Sequence, residues 1–132
     1  MNDVPKQYLF TSTMFQKSPL NSGPFDIRLA DGPTPAEGRL EVYHDALWGT
    51  VCDDGFDLND GTVACRQLGY DYSNDTLGDA FYGEGSGDIW LDDMQCVGNE
   101  KLLSQCESQV WGHINCGPNE DVGIRCFNFE GR

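Results

Sequence analysis

The residues best equipped for chemistry are carboxylates set in pairs near cysteines. Asp53 and Asp54 follow Cys52. Asp92 and Asp93 come shortly before Cys96, and Glu120 and Asp121 lie between Cys116 and Cys126. Carboxylate oxygens are the natural ligands of a hard cation such as Ca²⁺, which takes several of them together with carbonyls and water. Two adjacent aspartates supply too few, so a cation site built on Asp53 and Asp54 needs a donor from elsewhere in the chain. The six cysteines stand at 52, 65, 96, 106, 116 and 126. An even count in so short a chain reads as a disulfide framework formed in an oxidising compartment. Zinc is the rival reading, but structural zinc sites bring close thiolate pairs such as C-x-x-C, and the chain has none. The histidines, His44 and His113, stand outside any compact Cys/His cluster. His44 beside Asp45 and His113 near several serines evoke a catalytic triad, yet no nucleophile-elbow motif accompanies either. No catalytic residue is expected, and the chain does not read as an enzyme.

Bulk charge narrows the partners. The 132 residues carry a formal net charge of −14, enough chain for one domain with a modest core. Phosphate recognition needs a basic face, so nucleic acid is excluded as a partner. Like charge at this density also strains a compact fold, and bound divalent cations would relieve it. No stretch is long and apolar enough to insert into a membrane. Tyr8-Leu9-Phe10 is far too short for the apolar core of a signal peptide. The expected setting is a secreted protein, or the extracellular part of a membrane protein, in its mature form.

These groups need a scaffold, and hydrophobic periodicity supplies its outline. Residues 1–24 mix Ser, Thr, Asn and Pro with unpatterned apolar residues and read as an extended N-terminal arm or linker. Residues 25–132 read as a single domain. Ile27 and Leu29 alternate as a short strand. Leu40 and Val42 form a second, and Leu47 to Cys52 a third, with a hairpin turn near Asp45-Ala46. Gly61, Ala64, Cys65 and Leu68 then fall on one helical face, with Asn59 or Asp60 as the cap and Gly69 as the stop. A bridge from Cys65 would staple that helix to the sheet. Residues 71–88 read as loop with a short strand at Ala80-Phe81-Tyr82. Ile89-Trp90-Leu91 is an apolar run, Glu100 to Gln105 reads as a short helix, and Val122, Ile124 and Cys126 alternate as a last strand. Trp48, Trp90 and Trp111 read as packing residues.

Six segments in order carry a resemblance. They are Gly38-Arg39-Leu40-Glu41-Val42, Trp48-Gly49-Thr50-Val51-Cys52-Asp53-Asp54 and Ala64-Cys65-Arg66-Gln67-Leu68-Gly69-Tyr70. Ile89-Trp90-Leu91-Asp92-Asp93, Trp111-Gly112-His113 and Glu120-Asp121-Val122-Gly123-Ile124-Arg125-Cys126 follow. Together they resemble a scavenger receptor cysteine-rich (SRCR) domain over roughly residues 26–127, and the cysteine count resembles the six-cysteine group A. Tyr70 and the neighbourhood of Ala36 stand where the eight-cysteine group carries its extra pair. Cysteine count alone leaves the connectivity open; the resemblance implies Cys52–Cys116, Cys65–Cys126 and Cys96–Cys106. It also implies an α+β fold, a curved and mainly antiparallel β-sheet cradling one α-helix. The chain departs from the family pattern in three places. Phe56 stands for a common Trp, Ile114 intervenes between His113 and Asn115, and Gly61 replaces a usual Ala, at a helix cost of roughly 1 kcal/mol.

By the same resemblance, Asp53, Asp54 and Glu120 form a first cation site, and Asp92, Asp93 and Asn115 match a weaker second one. Ca²⁺ is the expected ion, with Mg²⁺ second because it demands octahedral geometry. Asn74-Asp75-Thr76 is an N-glycosylation sequon. The implied function is extracellular recognition of scavenger-receptor type. Its ligand is an extracellular protein or a polyanion bridged by a divalent cation, because the eight basic residues are scattered through the sequence. Two alternatives stand beside it: a non-catalytic accessory domain of a larger secreted protease or amine oxidase, and an adhesive module that self-associates through its N-terminal arm.

Overall fold

The computed structural model describes residues 25–111 and 116–130, the side chains of 108–111 excepted. The arm 1–24, His113, Asn115 and the Trp111 side chain therefore lie outside the described residues. Seven strands form one sheet: β1 (Ile27–Ala30), β2 (Glu37–His44), β3 (Leu47–Val51), β4 (Tyr72–Leu77), β5 (Ile89–Gln95), β6 (Glu107–Trp111) and β7 (Gly123–Phe127). The order is β4-β7-β2-β3-β5-β6, with β1 laid against β2. All pairings are antiparallel except β3 with β5. One helix, α1 (Leu58–Gln67), crosses between β3 and β4. The fold is thus the α+β arrangement that the sequence implies, as a mixed sheet with one parallel step.

Strand alternation places Leu40, Val42, Val51, Leu91, Val122 and Ile124 in the core, where they meet Val63, Ala64 and Cys65 of α1. The β2–β3 hairpin turns through Asp45 and Ala46, whose φ angles are 51° and 64°. Two consecutive left-handed residues match the twist of the strands they join.

The helix begins three residues earlier than its periodicity predicts. Asp57 is the N-cap: its carboxylate accepts from the Asp60 backbone N–H at 3.1 Å, and Asp60 returns the contact to the Asp57 N–H at 2.9 Å. This reciprocal box satisfies two of the orphan donors of the first turn. Asp60, expected as a cap, is instead the third helical residue and fully buried, and it also accepts from Cys96 N–H at 2.7 Å. Gly61 has a packing reason: a Cβ there would sit 3.2–3.3 Å from Ser73 and Thr76 of β4. The helix cost of glycine is the condition for that close approach.

Three other expectations change. β4 replaces the loop expected after residue 71, Ala80-Phe81-Tyr82 is a turn, and the helix expected at Glu100 to Gln105 is only a single 3₁₀ turn at Leu103–Gln105. In that last segment Glu100 accepts from the Val97 and Gly98 N–H groups and Gln105 from those of Lys101 and Leu102. Side chains thus take the donors a helix would have used.

The disulfides are Cys52–Cys116, Cys65–Cys126 and Cys96–Cys106, the pairings that the family resemblance implies. Cys65–Cys126 ties α1 to β7, and the first two close loops spanning 64 and 61 residues.

Candidate cation site at the carboxylate cluster

Three chain segments meet where β3 ends. Cys52 pairs with Asp121 in an isolated bridge, and the Asp53 N–H donates to the Glu120 carbonyl at 2.8 Å. The Cys52–Cys116 disulfide closes the same junction covalently. From the other side the Cys52 N–H donates to the Leu91 carbonyl at 2.9 Å, which sets Asp92 and Asp93 beside the Asp53-Asp54 turn. Local pairing thus gathers carboxylates that lie nearly seventy positions apart.

Carboxylate oxygens of Asp54 and Glu120 and the sulfurs of Cys52 and Cys116 lie within 4.8 Å of one another. The sulfurs are bonded to each other and offer no thiolate. What remains is a pair of carboxylates, with Glu120 Oε1 3.4 Å from Cys116 Sγ. Asp53 adjoins them, and its Oδ2 accepts from the Asp79 N–H at 2.7 Å. That contact explains Gly78, since a Cβ there would come within 2.7 Å of the same oxygen. Asp79 itself has φ of 58°, a left-handed conformation uncommon for a residue with a side chain.

The electrostatics show crowding. Desolvation raises the Glu120 pKa above the usual carboxylate range, and the charges of Asp54, Asp53, Asp92 and Asp79 push it further. Asp92 is buried, and its pKa is raised first by that burial and then by Asp93, with Asp54 and Asp53 adding to it. Asp93 is exposed and also has a left-handed backbone, at φ of 53°. The two expected sites are therefore neighbours in one field of negative charge. Oxygen donors only, repelling one another, are the donor set that a hard cation fits. Asn115, the remaining expected ligand, lies outside the described residues. Asp79 was not legible as a member, because its Gly-Asp-rich loop carries no periodic or spacing signal.

Asp121 has a different task. Buried and raised in pKa by desolvation, it accepts from Thr50 Oγ1 at 2.8 Å and from the Gly85 N–H at 2.7 Å. It clamps the 78–88 loop to β3. His44 is also structural: it packs edge-on against Trp90, with ring centroids 4.7 Å apart.

The arginines explain where positive charge goes. Arg39 contacts Asp31 and Glu41, Arg28 contacts Glu41, and Arg125 contacts Glu37 and Asp75. Arg66 donates to the carbonyls of Asp71 and Gly98. Among the described residues these cations are spent inside the fold, and no basic cluster faces outward.

A disulfide-stapled α+β module with a carboxylate-rich loop junction is the class of protein these features define. The profile of the scavenger receptor cysteine-rich domain matches residues 30–127, and the chain belongs to that family. Lysyl oxidase homolog 4 of Mus musculus is 53% identical over 110 residues, covering 82% of this chain and 14% of that protein. Lysyl oxidase homolog 4 of Homo sapiens is 50% identical over 110 residues, with the same coverage. The chain thus spans about one-seventh of the length of these curated relatives. Among solved structures, the third SRCR domain of murine neurotrypsin superposes with a TM-score of 0.73 at 45% identity, covering 80% of this chain and 99% of that one. The dimeric form of the SRCR domain of mouse MARCO gives 0.64 at 50% identity, covering 68% and 85%. SRCR domains are extracellular modules, generally without catalytic activity. No helix among the described residues is long and apolar enough to cross a membrane.

Proposed function

We propose that this chain is a non-catalytic recognition module of a larger secreted amine oxidase, and that it engages its partners through a bound Ca²⁺. The convergence of Asp53, Asp54 and Glu120 on one loop junction, with no arginine among the described residues paired to them, carries the reading. The identity to lysyl oxidase homolog 4 supports the accessory role, because the matched segment is a small part of those proteins. Asp92 and Asp93, with Asn115, are the candidates for a weaker second site. Ca²⁺ is favoured over Mg²⁺ because two or three carboxylates with water suit its flexible coordination. When bound, the ion supplies a local positive charge that an anionic group of a ligand can approach. A chain of net charge −14 whose described arginines are engaged by its own carboxylates and carbonyls attracts a polyanion poorly by itself. Recognition of an anionic ligand, whether a polyanion or an acidic protein surface, is therefore expected to disappear in EDTA.

Calorimetric titration of CaCl₂ into EDTA-stripped protein tests the site, with Asp54→Ala as the control. Saturable heat that the variant loses supports it. An absence of heat, together with an unchanged melting temperature, overturns it.

A further inference from the structure

The sequence holds one N-x-Ser/Thr sequon, Asn74-Asp75-Thr76, and the structure gives it a place. It lies in β4, the strand at one end of the sheet order. The β4–β7 ladder steps from Ser73–Cys126 directly to Asp75–Arg125, so Asn74 is the extra residue of a bulge and has no residue opposite it. The bulge sorts the neighbouring side chains. Ser73 is buried, with its N–H donating to Thr62 Oγ1 of α1. Asp75 reaches Arg125 at 3.1 Å. Thr76 packs towards Gly61. Asn74 alone of these four is exposed.

From this placement we infer that Asn74 carries an N-linked oligosaccharide. The inference stands apart from the cation site. Three conditions meet. The hydroxyl of Thr76 stands two residues on, as a sequon requires, and neither Asp75 nor Leu77 is proline. Three disulfides place folding in an oxidising compartment of the secretory route, where the glycan is added. The folded domain then has to leave room for a bulky polar group, and an exposed bulge residue on the terminal strand does so without displacing core or ladder.

The donor is an oligosaccharide linked to a lipid diphosphate. The bond from the anomeric carbon to the diphosphate oxygen breaks, a bond from that carbon to Asn74 Nδ2 forms, and the displaced amide proton leaves with the lipid diphosphate.

The chain is expressed behind a cleavable secretory leader in eukaryotic cells and treated with an amidase that releases N-glycans and converts the attachment asparagine to aspartate. The expected result is a downward mass shift on release, with aspartate found at position 74. Asn74→Gln abolishes the shift, and so does Thr76→Val, which keeps the methyl facing Gly61. Thr76→Ser retains it. Secreted wild-type protein unmodified at Asn74, or a shift that persists in Asn74→Gln, overturns the inference. Because Asn74 is exposed, its glutamine variant keeps the test interpretable if Thr76→Val fails to fold.

Discussion

Two regions of the molecule are built from carboxylates and treat them in opposite ways. On the face of β1, β2, β4 and β7, Asp31, Glu37, Glu41 and Asp75 are matched by Arg28, Arg39 and Arg125. Around the end of β3, Asp53, Asp54, Asp79, Asp92, Asp93 and Glu120 crowd together, and the charges of their neighbours add to the desolvation that raises the pKa of Asp92 and Glu120. The first region uses its cations as mortar. Arg39, buried with Glu41, also donates to the carbonyls of Tyr82 and Gly83 and so fixes the loop that borders the second region. The contrast teaches that net acidity is not spread evenly: among the described residues it is concentrated where β3, β5 and the turn at Glu120 meet.

The largest expected effect breaks the matched region. Arg39→Ala leaves the buried Glu41 with only the half-exposed Arg28 and removes the Arg39 contacts to the Tyr82 and Gly83 carbonyls, which should cost roughly 3–5 kcal/mol in urea unfolding. A loss below about 1 kcal/mol would mean that the pair is not desolvated as its burial indicates.

Next comes Asp60, a buried carboxylate that accepts from the Asp57 and Cys96 N–H groups. Burial raises its pKa from 3.8 to about 6. The folded state therefore holds the proton more tightly than the unfolded chain, and stability is lost as pH rises from about 4 to about 6. The loss attributable to Asp60 together with its partner Asp57 is on the order of 1–3 kcal/mol. Asp60→Asn should flatten that part of the stability–pH curve, and an unchanged slope would assign it to other groups.

Arg28 sharpens the comparison at its exposed edge. It reaches Glu41 at 2.7 Å and lies 4.1 Å over the Trp48 ring, but its side chain is 47% exposed. Arg28→Ala should cost only about 1 kcal/mol, and less in high salt. The smallest effect has the opposite sign. In cation-free buffer, Asp54→Asn relieves repulsion and should raise the melting temperature by roughly 1–2 °C. In CaCl₂ the order should reverse, because only the wild type gains from the ion.

Much of the frame was legible from residue pattern. The alternation of Ile27/Leu29, Leu40/Val42 and Val122/Ile124 marks three strands that bury one face. β4 was missed because its bulge at Asn74 breaks the period of two, so Tyr72 to Leu77 shows no alternation to read. β6 was missed because Glu107-Ser108-Gln109-Val110-Trp111 presents no alternating apolar face. The helix cap was misplaced because Asp57, Asn59 and Asp60 are all competent caps, and burial against Cys96 decides among them. For the site, Asp53, Asp54 and Glu120 were legible through their cysteines and the family resemblance. Asp79 was not, since only the folded loop carries its backbone N–H to Asp53.

By itself the sequence determined the inventory: thiols to cross-link, acidic pairs fixed near cysteines, one sequon and a large negative charge. Each depends on neighbours along the chain, where spacing is geometry. Tertiary structure decided which acids are balanced and which are not. Arg125 meets Glu37 across 88 positions and Asp75 across 50. Arg39 meets Asp31 through the β1–β2 pairing. Charge interaction falls off with distance in space and is indifferent to distance along the chain. The carboxylate cluster therefore emerges only once the sheet has brought β3, β5 and the turn at Glu120 together.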